Sequence, residues 1–322
     1  MVKHTPRARA GHNGEPEFVE TLRRRALVPR GSGIVLGIGD DCAIVRPRGA
    51  REDLLFTTDL LIEGTHFLRD THRAGDAGWK ALARGLSDIA AMGGEPRFCL
   101  VSLALAEWTG ARWVERFYDG LLELAGIAGA PLIGGDVGGG DRMACDIVVG
   151  GAVPRGSALR RDGARAGDGI YVSGRLGVSA LGLASRRGAA WRRHKRPEPR
   201  LALGRFLRRR LCATAAMDLS DGLSLDLYRL CAASGLRAEI DAPPVYPGAT
   251  LEQALHGGED YELLFTVREG IRVPERFQGI PLTRIGRMRR GEPGRVDLSG
   301  APLHRGGWDH LRSAAGARRS QG

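Results

Sequence analysis

Seven aspartates carry the chemistry this sequence could do. They fall in six short blocks: Gly39-Asp40-Asp41, Thr57-Thr58-Asp59, Ser87-Asp88, Gly134-Gly135-Asp136, Met217-Asp218 and Ser220-Asp221-Gly222. In each block an apolar strand or helix runs into a polar turn carrying aspartate, usually beside glycine. Taken singly, such an aspartate is more often a helix cap or turn former than a ligand. Ser220, for instance, could simply cap a helix starting near Leu223. Ser87-Asp88 differs, because it lies inside a helical repeat between Leu86 and Ile89, where a carboxylate caps nothing and needs another partner. Seven such groups in an otherwise basic chain point to convergence on hard cations. Carboxylate oxygens suit Mg²⁺, which keeps waters and bridges to phosphates.

Competing site chemistries lack their motifs. The eight histidines show no H-E-x-x-H spacing, and the cysteines form no C-x-x-C pair. A Walker loop needs Gly-Lys-Ser/Thr, and none of the lysines has that context. Gly138-Gly139-Gly140 does not complete G-x-G-x-x-G after a strand, and G-x-S-x-G is absent. Phosphates bound here must therefore be neutralised by metal ions, arginines and glycine backbone N–H groups.

The positioning elements follow from periodicity. Helices are expected over 14–25 (Phe18, Val19 and Leu22 on one face), 79–92 (Leu82, Leu86, Ile89), 111–127, after Leu176, and over 200–213 and 223–234. Strands are expected over 34–38, 54–58, 98–105, 131–133, 145–153, 170–173, 238–240 and 261–267. The Gly/Arg/Pro-rich segment 154–169 marks a boundary. The expected organisation is a basic, disordered tail over 1–14, a first domain over 15–153, a second over 154–312, and a disordered tail over 313–322. Both domains are α/β or α+β.

Composition narrows the class. The chain has 322 residues, 43% hydrophobic and 26% charged, which is soluble and globular rather than disordered. No apolar run approaches the ~18 residues of a membrane span, and the basic N-terminus has no apolar segment behind it, so no secretory signal is read. Five scattered cysteines fit a reducing cytoplasm. The net charge of +11 raises a nucleic-acid reading. However, only Lys3, Lys80 and Lys195 among 48 basic residues are lysines, a pattern of codon bias. The densest basic stretch, 186–210, is read as a solvated, charged helix face or loop, with no RNA-binding or zinc-finger signature beside it.

Taken together, the blocks resemble a known family. Gly37-Ile38-Gly39-Asp40-Asp41-Cys42-Ala43, Thr57-Thr58-Asp59 with Glu63-Gly64-Thr65-His66-Phe67, and Leu86-Ser87-Asp88-Ile89-Ala90-Ala91-Met92-Gly93 resemble the thiamine-monophosphate kinases. So do Gly134-Gly135-Asp136, Met217-Asp218-Leu219-Ser220-Asp221-Gly222-Leu223 and Gly257-Gly258-Glu259-Asp260-Tyr261-Glu262-Leu263. Weaker blocks are Arg161-Asp162-Gly163-Ala164 and Gly307-Trp308-Asp309-His310, where Trp stands at a position aromatic in the family.

The resemblance implies the two-domain fold of aminoimidazole ribonucleotide synthase: an N-terminal mixed sheet packed by helices and used for homodimerisation, and a C-terminal α/β domain. It implies ATP-dependent phosphorylation of thiamine monophosphate to thiamine diphosphate with several Mg²⁺ ions. Carried over by position, Asp41, Thr57, Thr58, Asp59, Asp88, Asp136, Asp218 and Asp221 would be metal ligands, with Asp40 a further one. Tyr118, Gly135, Asp136, Arg161 and Ser220 would contact ATP. His66, Glu259 and Trp308 would hold the thiamine phosphate. For Trp308 a C-terminal core plug, and for His66 a satisfied polar residue beside a strand, are the alternative readings.

The chemistry implied has no need of a general base. Two phosphate monoanions ~4 Å apart repel by about 4 kcal/mol at an effective dielectric of 20, which bound cations offset. The acceptor phosphate, with a second pKa of about 6, is mostly ionised near pH 7. Direct in-line transfer without a phosphoenzyme is expected, and the thiazolium suits an aromatic face and a carboxylate. The alternative is a sibling ATP-using enzyme of the same architecture, of the aminoimidazole ribonucleotide synthase or selenophosphate synthetase type. The latter expects a reactive cysteine and a lysine in an N-terminal glycine-rich loop, and residues 1–32 hold no cysteine and only Lys3.

Overall fold

The computed structural model describes residues 15–309; the tails expected over 1–14 and 313–322 lie outside them. In chain order the first half contains α1 (Glu15–Arg25), β1 (Ile34–Leu36), β2 (Ala43–Val45), β3 (Glu52–Ile62), α2 (Ala74–Ala91), β4 (Glu95–Leu105), α3 (Ala111–Ala128), β5 (Leu132–Gly139) and β6 (Ala144–Pro154). Its six strands form one sheet in the order β1-β2-β3-β6-β4-β5, antiparallel except for the parallel β4–β5 pair. Strand alternation sends Leu55, Leu61, Cys99, Val101, Cys145, Ile147 and Val149 to one face, where they pack with α2 and α3. Leu54, Phe56, Leu60, Phe98, Leu100 and Val148 have the opposite parity, and Leu60 is 52% exposed.

Helix α2 owes its place to small residues. A Cβ at Gly78 would meet the Phe117 carbonyl oxygen at 1.8 Å, and one at Gly120 the Gly75 oxygen at 1.9 Å, so α2 and α3 touch backbone to backbone. Each interior glycine costs about 1 kcal/mol of helix propensity, which that close packing offsets.

The second half contains β7 (Gly169–Ser173), α4 (Val178–Ser185), α5 (Gly188–Lys195), α6 (Leu201–Phe206), β8 (Ala215–Asp218), α7 (Leu223–Ala233), β9 (Arg237–Ile240), α8 (Leu251–His256), β10 (Leu263–Val267), β11 (Arg276–Phe277), β12 (Ile280–Arg289), β13 (Val296–Leu298) and β14 (Ala301–Pro302). Its sheet runs β14-β13-β9-β12-β7-β10-β8, with β11 paired to β12. β10 is buried on both faces. One face packs with α7 and α8; the other meets Leu203 and Leu207 together with Ala90 and Ala91 from the end of α2. Gly204 permits that last contact, since a Cβ there would lie 1.9 Å from the Ala90 oxygen. α2 is therefore shared by both halves.

Two sequence expectations are corrected here. Thr57-Thr58-Asp59 and Gly134-Gly135-Asp136 are not in turns: β3 pairs with β6 along all eleven of its residues, and β5 continues to Gly139. The basic stretch 186–210 is a solvated face only in part: Arg186, Arg187, Arg192, Arg209 and Arg210 are exposed, but several of its cations are tied down by ion pairs. Lys195 and Arg196 both bind Asp76 (2.6 and 2.7 Å), Arg196 also binds Glu123 (2.8 Å), Arg200 and Arg193 bind Glu262, and Arg209 binds Glu95. Asp76, Glu95 and Glu123 belong to the first half, so these cations bracket the two halves together.

Candidate active site

Asp41, Asp88 and Asp218 come from the loop before β2, from the interior of α2 and from the end of β8. Each offers an oxygen within 4.8 Å of the others. Asp88 emerges where α2 crosses between the two sheets, which accounts for a carboxylate in mid-helix. Thr57 Oγ1, on the helix-facing side of β3, donates to Asp88 Oδ2 (2.5 Å), and Ser87 Oγ donates to Asp218 Oδ2 (2.6 Å). Asp41 Oδ1 accepts from the Arg161 guanidinium, while its Oδ2 is buried without a hydrogen-bond partner. Burial, followed by the charges of Asp59, Asp218 and Asp41, drives the Asp88 carboxyl well above its ordinary range. Burial and Asp41 do the same to Asp218. Asp40 is pushed up to about 7 by burial and by Asp41, and accepts the Arg161 backbone N–H at 3.0 Å. Three desolvated, mutually repelling carboxylates with an orphan oxygen form a donor set for a hard divalent cation.

Beside this trio lies a second, basic group. Lys80 and Arg84 precede Asp88 at helical intervals of four, on one stripe of α2. Lys80 is 0% exposed; its Nζ donates to the His66 carbonyl (2.9 Å) and to Glu259 Oε2 (2.9 Å), and stands 2.8 Å from Oε1. Arg84 donates to Asp59 Oδ1 (2.8 Å) and to the Tyr261 hydroxyl (3.2 Å). Burial would raise Glu259, but Lys80, His194 and Arg84 outweigh it and hold the carboxyl at about 2. Glu259 sits in a tightly wound loop at φ +65°, and Tyr261 follows at φ +50°. That strain, of order 1–3 kcal/mol, is held by hydrogen bonds from Glu259 N to Ser220 O (2.7 Å) and from Tyr261 N to Leu219 O (2.9 Å). The loop on which Asp221 lies is fixed in turn by buried Asp226, whose Oδ2 accepts the N–H groups of Asp221 (3.1 Å) and Gly222 (3.0 Å). Arg229 bridges the two carboxylates.

Both groups open into one cleft of about 420 Å³ between the halves. Of the residues singled out in the sequence, Asp59, His66, Asp88, Asp218, Ser220, Asp221, Glu259 and Trp308 line it. Trp308 is 42% exposed there, with its backbone N–H on the Asp221 carbonyl (3.0 Å), so it is no core plug. His66 is buried, its Nδ1 accepting the Ile62 N–H at 2.9 Å. Asp40, Asp41, Thr57 and Arg161 do not line the cleft; Asp41 completes the trio behind Asp88 and Asp218, with Thr57 bonded to Asp88 and Arg161 to Asp41. Thr58 points to the opposite face of β3 from Thr57 by strand alternation. Tyr118, packed edge-on to Phe117, and Gly135 and Asp136 on the exposed strand β5, do not line the cleft of the single chain. Lys80, Arg84, His194, Asp226 and Tyr261 were not among the sequence candidates. The signal that could have found the first two is the i, i+4, i+8 spacing of Lys80, Arg84 and Asp88 along an otherwise apolar helix.

The sequence matches the family models for the AIR synthase related protein, N-terminal domain, over residues 39–153 and C-terminal domain over residues 165–293. Thiamine-monophosphate kinase of Escherichia coli (strain K12) is 40% identical over 303 residues, covering 83% of this chain and 91% of that protein. The Salmonella typhimurium (strain LT2) enzyme is 42% identical over 278 residues, covering 78% and 83%. The solved structure of AaThiL complexed with AMPPCP and TMP superimposes with a TM-score of 0.81 at 33% identity, covering 92% of this chain and 97% of that one. The matched models take in most of both sheets, the relatives exceed 30% identity over more than two thirds of the chain, and the chain belongs to the thiamine-monophosphate kinase family.

Proposed function

We propose that this chain transfers the γ-phosphoryl group of ATP to thiamine monophosphate, giving thiamine diphosphate and ADP. The observation that carries the reading is the single cleft with the carboxylate trio at one end and Glu259, His66 and Trp308 at the other. The likeness to AaThiL, solved with AMPPCP and TMP, supports the same substrates here.

Asp41, Asp88 and Asp218 would hold Mg²⁺, and the orphan Asp41 Oδ2 fits that use. Bound there, the cation supplies neutralisation of the phosphate charges. Asp40, Thr57, Thr58, Asp59, Asp136 and Asp221 extend the proposed ligand set, and Arg161 and Ser220 the nucleotide contacts. Trp308 offers an aromatic face to the thiazolium, and Glu259 is ionised throughout the physiological range. The acceptor oxygen is already ionised near neutrality, so no side chain has to remove a proton.

The apolar outer face of the first sheet, with Leu54, Phe56, Leu60, Phe98 and Leu100, supports a homodimer formed through it. In that arrangement Tyr118, Gly135 and Asp136 belong to a nucleotide site completed by the second copy. The five cysteines are free, and among the described residues no helix is long and apolar enough to cross a membrane; both features support a cytoplasmic enzyme.

The test is incubation of the chain with ATP and thiamine monophosphate, with and without Mg²⁺, and chromatography of the products. Free thiamine and aminoimidazole precursors serve as control acceptors. Thiamine diphosphate should form only with Mg²⁺ and only from the monophosphate. Turnover of an aminoimidazole precursor instead would overturn the reading, and a phosphorylated side chain trapped after ATP alone would overturn direct transfer.

A further inference from the structure

Helix α2 is laid along the cleft like a ruler. Lys80, Arg84 and Asp88 lie on one face, and successive members are about 6 Å apart along the axis at ~1.5 Å rise per residue. The Lys80 end touches the groups read as the thiamine phosphate site, His66 and Glu259. The Asp88 end belongs to the carboxylate trio. Arg84 stands between, where a nucleotide held at one end and an acceptor held at the other must meet.

Two further observations point to an anion at Arg84. Among the described residues lining the cleft it is the only lysine or arginine, in a cavity that has to admit two phosphorylated molecules. Its guanidinium is also incompletely satisfied: one Nη bonds Asp59, the other bonds Tyr261 and lies 3.7 Å from Glu259, and the buried Nε has no acceptor. A buried donor left without a partner costs about 1–3 kcal/mol, and the cleft-lining guanidinium keeps donor capacity for an oxygen brought into the cleft.

We propose that Arg84 is a catalytic residue that contacts the phosphoryl group as it passes from nucleotide to acceptor. This rests on the phosphotransferase reading above. An ionised oxygen of the acceptor phosphate forms the new bond to the γ-phosphorus while the bond from that phosphorus to the β–γ bridging oxygen breaks. The electron pair leaves with ADP, and no proton changes hands. Negative charge gathers on the bridging and equatorial oxygens, and a fixed guanidinium aimed there acts more strongly on the transition state than on either bound substrate.

The experiment compares wild type with Arg84→Gln, Arg84→Lys and Arg84→Ala. For Arg84→Gln, kcat should fall about 10²–10³-fold with the KM for both substrates within about threefold, the split expected of a contact made only in the transition state. Melting temperatures with ADP, Mg²⁺, aluminium fluoride and thiamine monophosphate should show the stabilised complex in wild type and its loss in Arg84→Gln. Stabilisation by Mg-AMPPCP should persist in both. Free guanidinium should raise the kcat of Arg84→Ala saturably while leaving both KM values and the Mg-AMPPCP stabilisation unchanged, whereas restoring only a counter-ion to Asp59 would move the binding terms; Arg84→Lys, keeping the charge, controls for folding. If wild type turns over thiamine monophosphate and Arg84→Gln does so within threefold, or if the variant loses both complexes equally, the assignment fails while the function stands. If wild type itself makes no thiamine diphosphate, the functional reading has failed instead.

Discussion

Asp88→Asn should stabilise the protein in chelator and disable it in magnesium. The substitution keeps the shape of the side chain and its ability to accept the Thr57 hydroxyl, and removes one charge from the trio. Unit charges 4.8 Å apart, the spread of the trio's oxygens, repel by about 3.5 kcal/mol at an effective dielectric near 20. Burial raises the proton affinity of all three carboxyls, so the metal-free trio sheds part of that repulsion by protonation. The net relief is then about 1–3 kcal/mol. With an unfolding entropy of roughly 0.6–0.7 kcal/mol per degree for a chain of this length, the variant should melt about 2–4 °C above wild type in EDTA. With Mg-AMPPCP the order should invert, because wild type gains binding energy that the variant has lost. Turnover should drop by about three orders of magnitude or more. Calorimetry in the two buffers, with an assay on the same preparations, gives all three numbers. A variant that melts below wild type in EDTA would refute the reasoning, since Asp88 would then be a structural group held by Thr57 rather than one of three crowded charges.

Two other outcomes follow from the buried cations and imidazoles. Lys80→Met leaves Glu259 with Arg84 3.7 Å away as its nearest remaining cation; denaturant titration should show a loss of about 3 kcal/mol, and a loss under ~1 kcal/mol would mean the pair is dispensable. His72 and His194 are buried, and burial reinforced by the Lys80 ammonium lowers them to about 4 and about 3. A folded-state pKa below the unfolded value of about 6.5 contributes stability that is complete above pH 6.5 and is lost as pH falls toward 4. Acidification from pH 7 to 5 should therefore cost about 2 kcal/mol per imidazole. His194→Gln should flatten that limb, and an unchanged slope would contradict the assignment.

The aspartate blocks were legible because their residue types are unusual at those places: Asp88 interrupts Leu86 and Ile89, and Asp218 ends an apolar strand. Less legible was the context that turns charge into structure. The start of α2 at Ala74 was hidden by Gly75 and Gly78, which disfavour a helix in isolation and are tolerated because α3 lies against them. Strand β12, with Leu282, Ile285 and Met288 inward, was missed because a register shift at Gly286 breaks its alternation. The ion pairs of the basic stretch were hidden because its partners, Asp76, Glu95 and Glu123, lie some seventy to one hundred and twenty residues away in sequence. Lys80 and Arg84 passed as ordinary helix residues for the same reason, since Glu259 and Tyr261 reach them only through the fold.

The central claim is that residues remote in sequence gather one cation-dependent nucleotide site. Calorimetric titration of the full chain with AMPPCP in Mg²⁺, in EDTA, and in Mg²⁺ with Asp218→Asn tests it most directly. Wild type should bind in Mg²⁺, and affinity should fall at least about tenfold, or ~1.4 kcal/mol, in each of the other two cases. Equal affinity in all three would contradict it.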